Sequence, residues 1–532
     1  MILALLAVLA TPAAPAAPAA RAAPPKPRVV VVITVDQLSP VYFDRWRAQL
    51  TGGLGRLLAQ GAVFTNAYQD HAITETAPGH ATVLSGRWPR HTGIVSNDLG
   101  VFDRSAPLLE ARGPGASPAR FRGTAFFDWL KAKEPGARAL SVSRKDRGAI
   151  LPVGRAREHV YWWSGGMFTT STYYADSLPA WVRAFNARGA PRAYAGRPWT
   201  LLLAESAYAE PDDQPWEDPQ NAYGAKTFPH AWPDDSARSA MAFAGRPEMD
   251  SLTLAFALAG AEALRLGRRG PTDLVAVSLS TLDGVGHTFG PSSREVHDML
   301  LRLDRHLAWF LDRLWRRYGR DRVVIALTAD HGVSPYPAEA RALGRPGARA
   351  VAVDTLIRAV NDEIAAAAGP GAGADIGRTL LFDSGILFVH SAPALHAAGR
   401  NVDSVVTAVE ARLRAVPGVA RADRPADLAS ADTAADAVAR RWLHQVPDDL
   451  PVALVVTLDD DAVWGDETYA MHGQPSDRDA HVPLILLGQG VKPGVYGGRV
   501  ATVDLAPTLA RLLGLAPAER LDGRALTEAL RN

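Results

Sequence analysis

The sequence predicts an α/β fold: a doubly wound, mostly parallel sheet flanked by helices, with inserted cap regions. Two observations predict it. Four apolar runs are continuous in Val, Ile and Leu rather than alternating, the mark of strands buried on both faces beneath helices. Between two of them lies a segment of helical period, so strand, helix and strand follow one another as a right-handed crossover requires.

The chain of 532 residues has room for several domain-sized units or one large domain with insertions. The second arrangement is the expectation, with residues 28–532 as one catalytic domain. A net charge of +1 gives no electrostatic reason to expect nucleic acid as a partner. There is no cysteine, which excludes a thiol nucleophile, thiolate metal ligands and disulfides. Any metal must be held by His and carboxylate.

Residues 1–27 open with an apolar stretch, Ile2 to Ala10, and continue as an Ala/Pro tract. They read as a secretory signal peptide and linker, although the basic start of such a signal is missing. No later run reaches the ~18 apolar residues of a transmembrane helix. The expectation is a periplasmic or secreted protein without a transmembrane anchor; the sequence leaves the oligomeric state open, with a monomer favoured.

The first strand run is "VVVVITVD", Val29–Asp36. Next comes "DHAITETAPGHATVLSGRWPRHTGIVSND", Asp70–Asp98, where hydroxyls and an acidic Glu75 precede a Pro-Gly break. A helix beginning at Pro78, with Pro in its first turn, puts Thr76 just before exposed N–H groups that favour a phosphate. A hydroxyl attacks only when a metal or base activates it, and Thr76 is the candidate. Thr74 competes from further away. His80, inside the helix, is assigned to packing.

In "ALSVSRKDRGAI", Lys145 and Arg147 follow a strand-like run. Residues two apart on a strand face the same way, so both side chains could grip phosphate oxygens. Residues of about 156–247 are rich in Trp, Tyr, Pro and Gly, and break the rhythm as a first cap insertion.

The sheet pattern resumes with "DLVAVSLSTLD", Asp273–Asp283, then "LDGVGH" with His287. Val296, Met299, Leu300, Leu303, Leu307, Phe310, Leu311 and Leu314 form one helical stripe, closed by Gly319. "RVVIALTAD" ends in Asp330, followed at once by His331. Residues of about 338–451, with Ala-rich helices and "TLLFDSGILFVH", form a second cap insertion. His472 in "MHGQP" precedes the last core run, "VPLILLG" (Val482–Gly488). His481 and the run Asp459–Asp461 are read as structural or solvated.

Ligands in doubly wound sheets bind beyond the carboxyl ends of strands. Asp36, Asp283 and Asp330 stand at such ends, with His287, His331 and His472 near them. Three Asp and three His on one rim suit two hard-to-borderline cations such as zinc.

Together, "VDQL", "TETAPGHATVLSGRWPRHTGIVSND", "SRKDRGAI", "STLDGVGHTFGP", "TADHG" and "MHGQP" resemble the alkaline phosphatase superfamily. The chain is most similar to its phosphate-irrepressible, Thr-nucleophile bacterial alkaline phosphatases, within the nucleotide pyrophosphatase/phosphodiesterase-like group. The likeness spans nearly the whole chain and implies an alkaline phosphatase-like catalytic domain with two Zn2+. One zinc would be held by Asp36, Thr76, Asp330 and His331, the other by Asp283, His287 and His472. It also implies that Asn97 donates a hydrogen bond to a phosphate oxygen.

The expected activity is hydrolysis of small phosphate monoesters through a phosphothreonine on Thr76. Lys145 and Arg147 favour the doubly charged monoester over a diester by electrostatic stabilisation. A phosphodiesterase of the same fold and a non-catalytic periplasmic phosphate-binding protein are the competing readings.

Overall fold

The computed structural model describes residues 26–217, 223–369, 376–465, 467 and 470–531. The expected signal peptide and linker lie outside the described residues except for Lys26 and Pro27. Those two are anchored: Lys26 Nζ meets Glu134 Oε2 at 2.5 Å, and the Pro27 carbonyl accepts from Thr272.

Sixteen strands follow in chain order among the described residues. They are β1 (Val29–Val35), β2 (Ala62–Tyr68), β3 (Ala139–Ser143), β4 (His159–Ser164), β5 (Met167–Thr169), β6 (Asp273–Leu279) and β7 (Val323–Thr328). Then come β8 (Arg349–Val351), β9 (Leu380–Asp383), β10 (Ile386–Val389), β11 (Val419–Asp423), β12 (Val452–Leu458) and β13 (Ala462–Trp464). The last are β14 (His481–Gly488), β15 (Gly494–Tyr496) and β16 (Val500–Ala501).

The main sheet has the order β15-β2-β14-β7-β1-β6-β3-β4-β5, with β16 beside β2. β1 lies at its centre and runs parallel to both β6 and β7, so Val35 pairs with Leu279 and Thr34 with Thr328. The three aspartates that follow these strands are thereby delivered to one rim. The side chains of β1 alternate between two cores. Val29, Val31, Ile33 and Val35 pack on one face, while Val30 and Val32 pack on the other. The long helix Arg294–Tyr318 covers the first face with the stripe its spacing predicts. The doubly wound, mostly parallel sheet is thus as expected.

β14 departs from the parallel expectation, because it is antiparallel to both β7 and β2. A parallel entry needs a crossover of a dozen or more residues. His472 is already at the site rim, and the few residues before His481 are too short for one, so the chain turns straight down.

The first insertion also begins differently. Within 156–247, β4 pairs parallel with β3 and β5 pairs antiparallel with β4, so its opening belongs to the main sheet. Val182, Phe185, Trp199, Tyr208 and Trp232 then join the core on one sheet face. The aromatic richness reflects burial there. The second insertion builds a separate sheet, β11-β12-β10-β9, with its own core around Leu387, Val409, Leu413 and Leu454. β12 carries this unit past residue 451, since it pairs with β10 and β11.

Candidate active site

Asp36 follows β1 directly, and Asp330 lies two residues beyond β7. Asp283 and His287 sit one turn apart on the helix Thr281–Phe289, which starts just after β6. The loop carrying His472 closes over them. These six residues form two clusters, Asp36·Asp330·His331 and Asp283·His287·His472, in each of which the candidate ligand atoms lie within 4.8 Å of one another.

The donor set and its spacing fit metal ions. His331 Nε2 is 3.2 Å from Asp36 Oδ1, and 3.7 Å from Asp330 Oδ2. His287 Nε2 is 3.1 Å and His472 Nε2 3.6 Å from Asp283 Oδ1. Ligands at ~2.0–2.1 Å in a tetrahedron are about 3.3 Å apart, the range found here. Asp36 Oδ1, Asp330 Oδ2 and His331 Nε2 are buried and take no well-formed hydrogen bond, while Asp36 Oδ2 is met by the Lys145 ammonium. Such atoms are costly unless an ion completes them.

The histidines are also oriented for it. His331 Nδ1 faces the Gly332 carbonyl at 2.9 Å, His287 Nδ1 that of Ala470 at 2.5 Å, and His472 Nδ1 that of Thr74 at 2.8 Å. A carbonyl only accepts, so each ring carries a proton on Nδ1 and turns Nε2 inward.

Burial pushes the Asp36 and Asp283 carboxyls up. Lys145 overrides it, with His331 at Asp36 and His287 at Asp283, and both stay below the usual carboxylate range. Burial and the neighbouring His331 lower His472 to about 3, which keeps it neutral. At His331 burial opposes the charge, but Asp330 and Asp36 raise it to about 9. A cation arriving there competes with a proton.

Thr76 opens the helix Thr76–Ser85, and Glu75 is the residue before it. The helix therefore starts two residues earlier than Pro78. Pro fits a first turn because its missing N–H would have no helical partner. Gly79 is required, since a Cβ there would meet the Asp330 carbonyl oxygen at 2.2 Å. That contact presses the helix onto the end of β7.

The expected row of open amides is shorter than it looked. Ala77 N–H donates to Asn97 Oδ1, Pro78 has none, and Gly79 N–H closes on the Glu75 carbonyl. Because Asn97 Oδ1 is used in this way, its NH2 group points elsewhere and remains a donor. The competing hydroxyl, Thr74 Oγ1, is engaged away from the clusters: it donates to the Gln474 carbonyl and accepts from Gly473 N–H.

Lys145 Nζ stands between the clusters, 2.6 Å from Asp36 Oδ2 and 2.7 Å from Asp283 Oδ2, and donates to Thr76 Oγ1 at 3.1 Å. The strand argument for pairing it with Arg147 does not hold. β3 ends at Ser143, and Arg147 lies on the short helix Asp146–Ile150, which Lys145 precedes. The helical turn, not strand alternation, brings Arg147 toward Glu75, whose carboxyl it helps to lower against the larger effect of burial. Arg147 Nε is buried without a partner. His80 bonds the Thr76 carbonyl and Ser278 Oγ, and its Nδ1 also lies 3.2 Å from Asp330 Oδ2. His481 bonds the Thr65 carbonyl, and Asp461 pairs with Arg478.

Sequence reasoning missed Gln37. It is fully buried and has φ +67, a left-handed conformation that a non-glycine residue adopts at a cost. Its N–H donates to Asp330 Oδ1 at 3.2 Å, and its Nε2 to Asp283 Oδ1 at 3.1 Å. One residue thus ties one cluster to the other. Gly286 makes room, for a Cβ there would lie 1.8 Å from Gln37 Oε1. Gln37→Ala is expected to weaken metal binding by about 10–100-fold, as loss of such an outer partner typically does, measured by competition with a chelating dye.

A doubly wound sheet with two His/Asp clusters at its carboxyl rim, beside a buried threonine at a helix start, defines a chain with candidate metal-binding clusters next to a hydroxyl. Residues 30–460 match the family model "Type I phosphodiesterase / nucleotide pyrophosphatase", and the chain belongs to that family. It is 34% identical over 530 residues to alkaline phosphatase PhoK of a Sphingomonas species, covering 94% of this chain and 91% of that one. The crystal structure of alkaline phosphatase PafA superposes with a TM-score of 0.86 at 26% identity, over 96% of this chain and 100% of that one. A PafA variant with one Thr, one Asn, one Lys and one Arg replaced superposes equally well.

Proposed function

We propose that this protein is an exported, metal-dependent alkaline phosphatase that hydrolyses small phosphate monoesters through Thr76. The observation that carries the reading is the meeting of Thr76 Oγ1, Lys145 Nζ, Asp36 and Asp283 at one point between the two clusters. The four residue types replaced in the PafA variant occur here in the same chain order, with the same Thr-to-Asn and Lys-to-Arg spacings. That supports Thr76, Asn97, Lys145 and Arg147 as the reacting set. The apolar run and Ala/Pro tract at the N-terminus support export, and no described helix is long and apolar enough to cross a membrane.

Asp36, Asp330 and His331, joined by Thr76, would hold one zinc; Asp283, His287 and His472 would hold the other. Two such ions would supply Lewis acidity, lowering the pKa of the nucleophile and stabilising the leaving oxygen. Thr76 Oγ1 attacks phosphorus and forms a phosphothreonine as the alcohol departs. Water then attacks phosphorus from the vacated side, releasing phosphate and restoring the hydroxyl. Lys145 holds positive charge at Thr76 Oγ1, so it acts where negative charge builds on the attacking oxygen. The Asn97 NH2 and the Arg147 guanidinium bind non-bridging phosphoryl oxygens. Positioning and charge stabilisation of this kind supply most of phosphoryl-transfer catalysis.

The family description keeps a phosphodiesterase reading in play, and Lys145 separates the two. Lys145→Ala is expected to lower kcat/KM for an aryl phosphate monoester by about 100-fold or more, and for a diester by much less. Steady-state rates on both substrates check it. A wild-type preference for the diester, with Lys145 irrelevant, would overturn the monoesterase reading.

A further inference from the structure

The smaller sheet reaches the reacting threonine through one hairpin. β9 and β10 are joined by Ser384 and Gly385, both with positive φ (+48 and +88), the tight two-residue turn that keeps a hairpin twisted correctly. The tip is aimed at the helix start. Ser384 Oγ donates to Glu75 Oε1 at 2.6 Å, with Asp383 Oδ1 2.9 Å from the same hydroxyl. The other Glu75 oxygen accepts from the Asn97 backbone N–H at 2.7 Å. A second link runs beside the first, where Ser96 Oγ donates to Asp383 Oδ2 at 2.7 Å.

The Ser96–Asn97 turn is therefore held twice by the hairpin, once directly and once through Glu75. On its other sides the turn is met by the Ala77 N–H on Asn97 Oδ1, which sets the plane of the amide, and by Gln445 Nε2 on the neighbouring Val95 carbonyl. We propose that Ser384 is a positioning residue, acting through Glu75 to aim the Asn97 amide at the phosphoryl group, so that the smaller unit completes the phosphate pocket. This rests on the proposed role of Asn97. It gives the second insertion a catalytic task that its own core does not require.

The test is a double-mutant cycle in the full-length, zinc-loaded enzyme, using Ser384→Ala, Asn97→Ala and the pair. The readouts are kcat/KM on an aryl phosphate, inhibition by inorganic phosphate, and zinc content. Asn97→Ala alone is expected to cost about 100-fold in kcat/KM, the scale for losing one donor to transition-state charge. Ser384→Ala is expected to cost about 10-fold and to weaken phosphate inhibition in parallel, with zinc content unchanged. In the Asn97→Ala background the Ser384 substitution should change the rate by less than about twofold. A Ser384→Ala loss that persists undiminished in that background, or no loss at all, overturns the inference and leaves Asn97 in its role. An Asn97→Ala enzyme at the wild-type rate overturns both.

Discussion

Thr76→Ala is expected to abolish the covalent intermediate and lower kcat/KM for an aryl phosphate by about 10,000-fold or more, the scale on which loss of a nucleophile acts. The helix start should survive the change, since Thr76 is its first residue and Ala is a good helix former. Rapid acid quench after incubation with labelled substrate reads the phosphothreonine directly. Label on wild type and none on the variant is the expected pair. Thr74 is not expected to substitute, because its hydroxyl is engaged by Gln474 and Gly473.

Asp283→Ala should be nearly as damaging for a different reason. Asp283 gives one oxygen to His287, His472 and Gln37 and the other to Lys145. Its loss takes away the centre of one cluster and half of the negative charge that holds Lys145 beside Thr76. Elemental analysis should find the zinc content halved, and kcat/KM should fall by about 1,000-fold or more. Full zinc content in this variant would place that metal on other residues.

Much of the site was legible because it depends on strand ends. Buried parallel strands write themselves as unbroken apolar runs, and the aspartates after β1, β6 and β7 share a rim whatever lies between them. Strand direction was less legible. β14 is as apolar as its parallel neighbours because burial on both faces, not direction, selects Val, Ile and Leu.

Lys145 and Arg147 were singled out by strand alternation, and that reason failed, since the chain leaves the strand at Ser143 before either residue. The start of the helix at Thr76 was hidden by Pro78, which marks a first turn without fixing its first residue. Two features had no local signal at all. A left-handed Gln37 cannot be read from "VDQL", and the Ser384–Glu75 bond joins residues 309 positions apart. Contacts of that kind arise only when separate units pack.

The direct test of the paired site is to count metal in the purified enzyme, strip it with a chelator, and follow aryl phosphate hydrolysis as zinc is returned. The account predicts two zinc ions per chain, activity lost on stripping, and activity recovered as the second equivalent binds. A stripped protein that still turns over substrate at the full rate would contradict it.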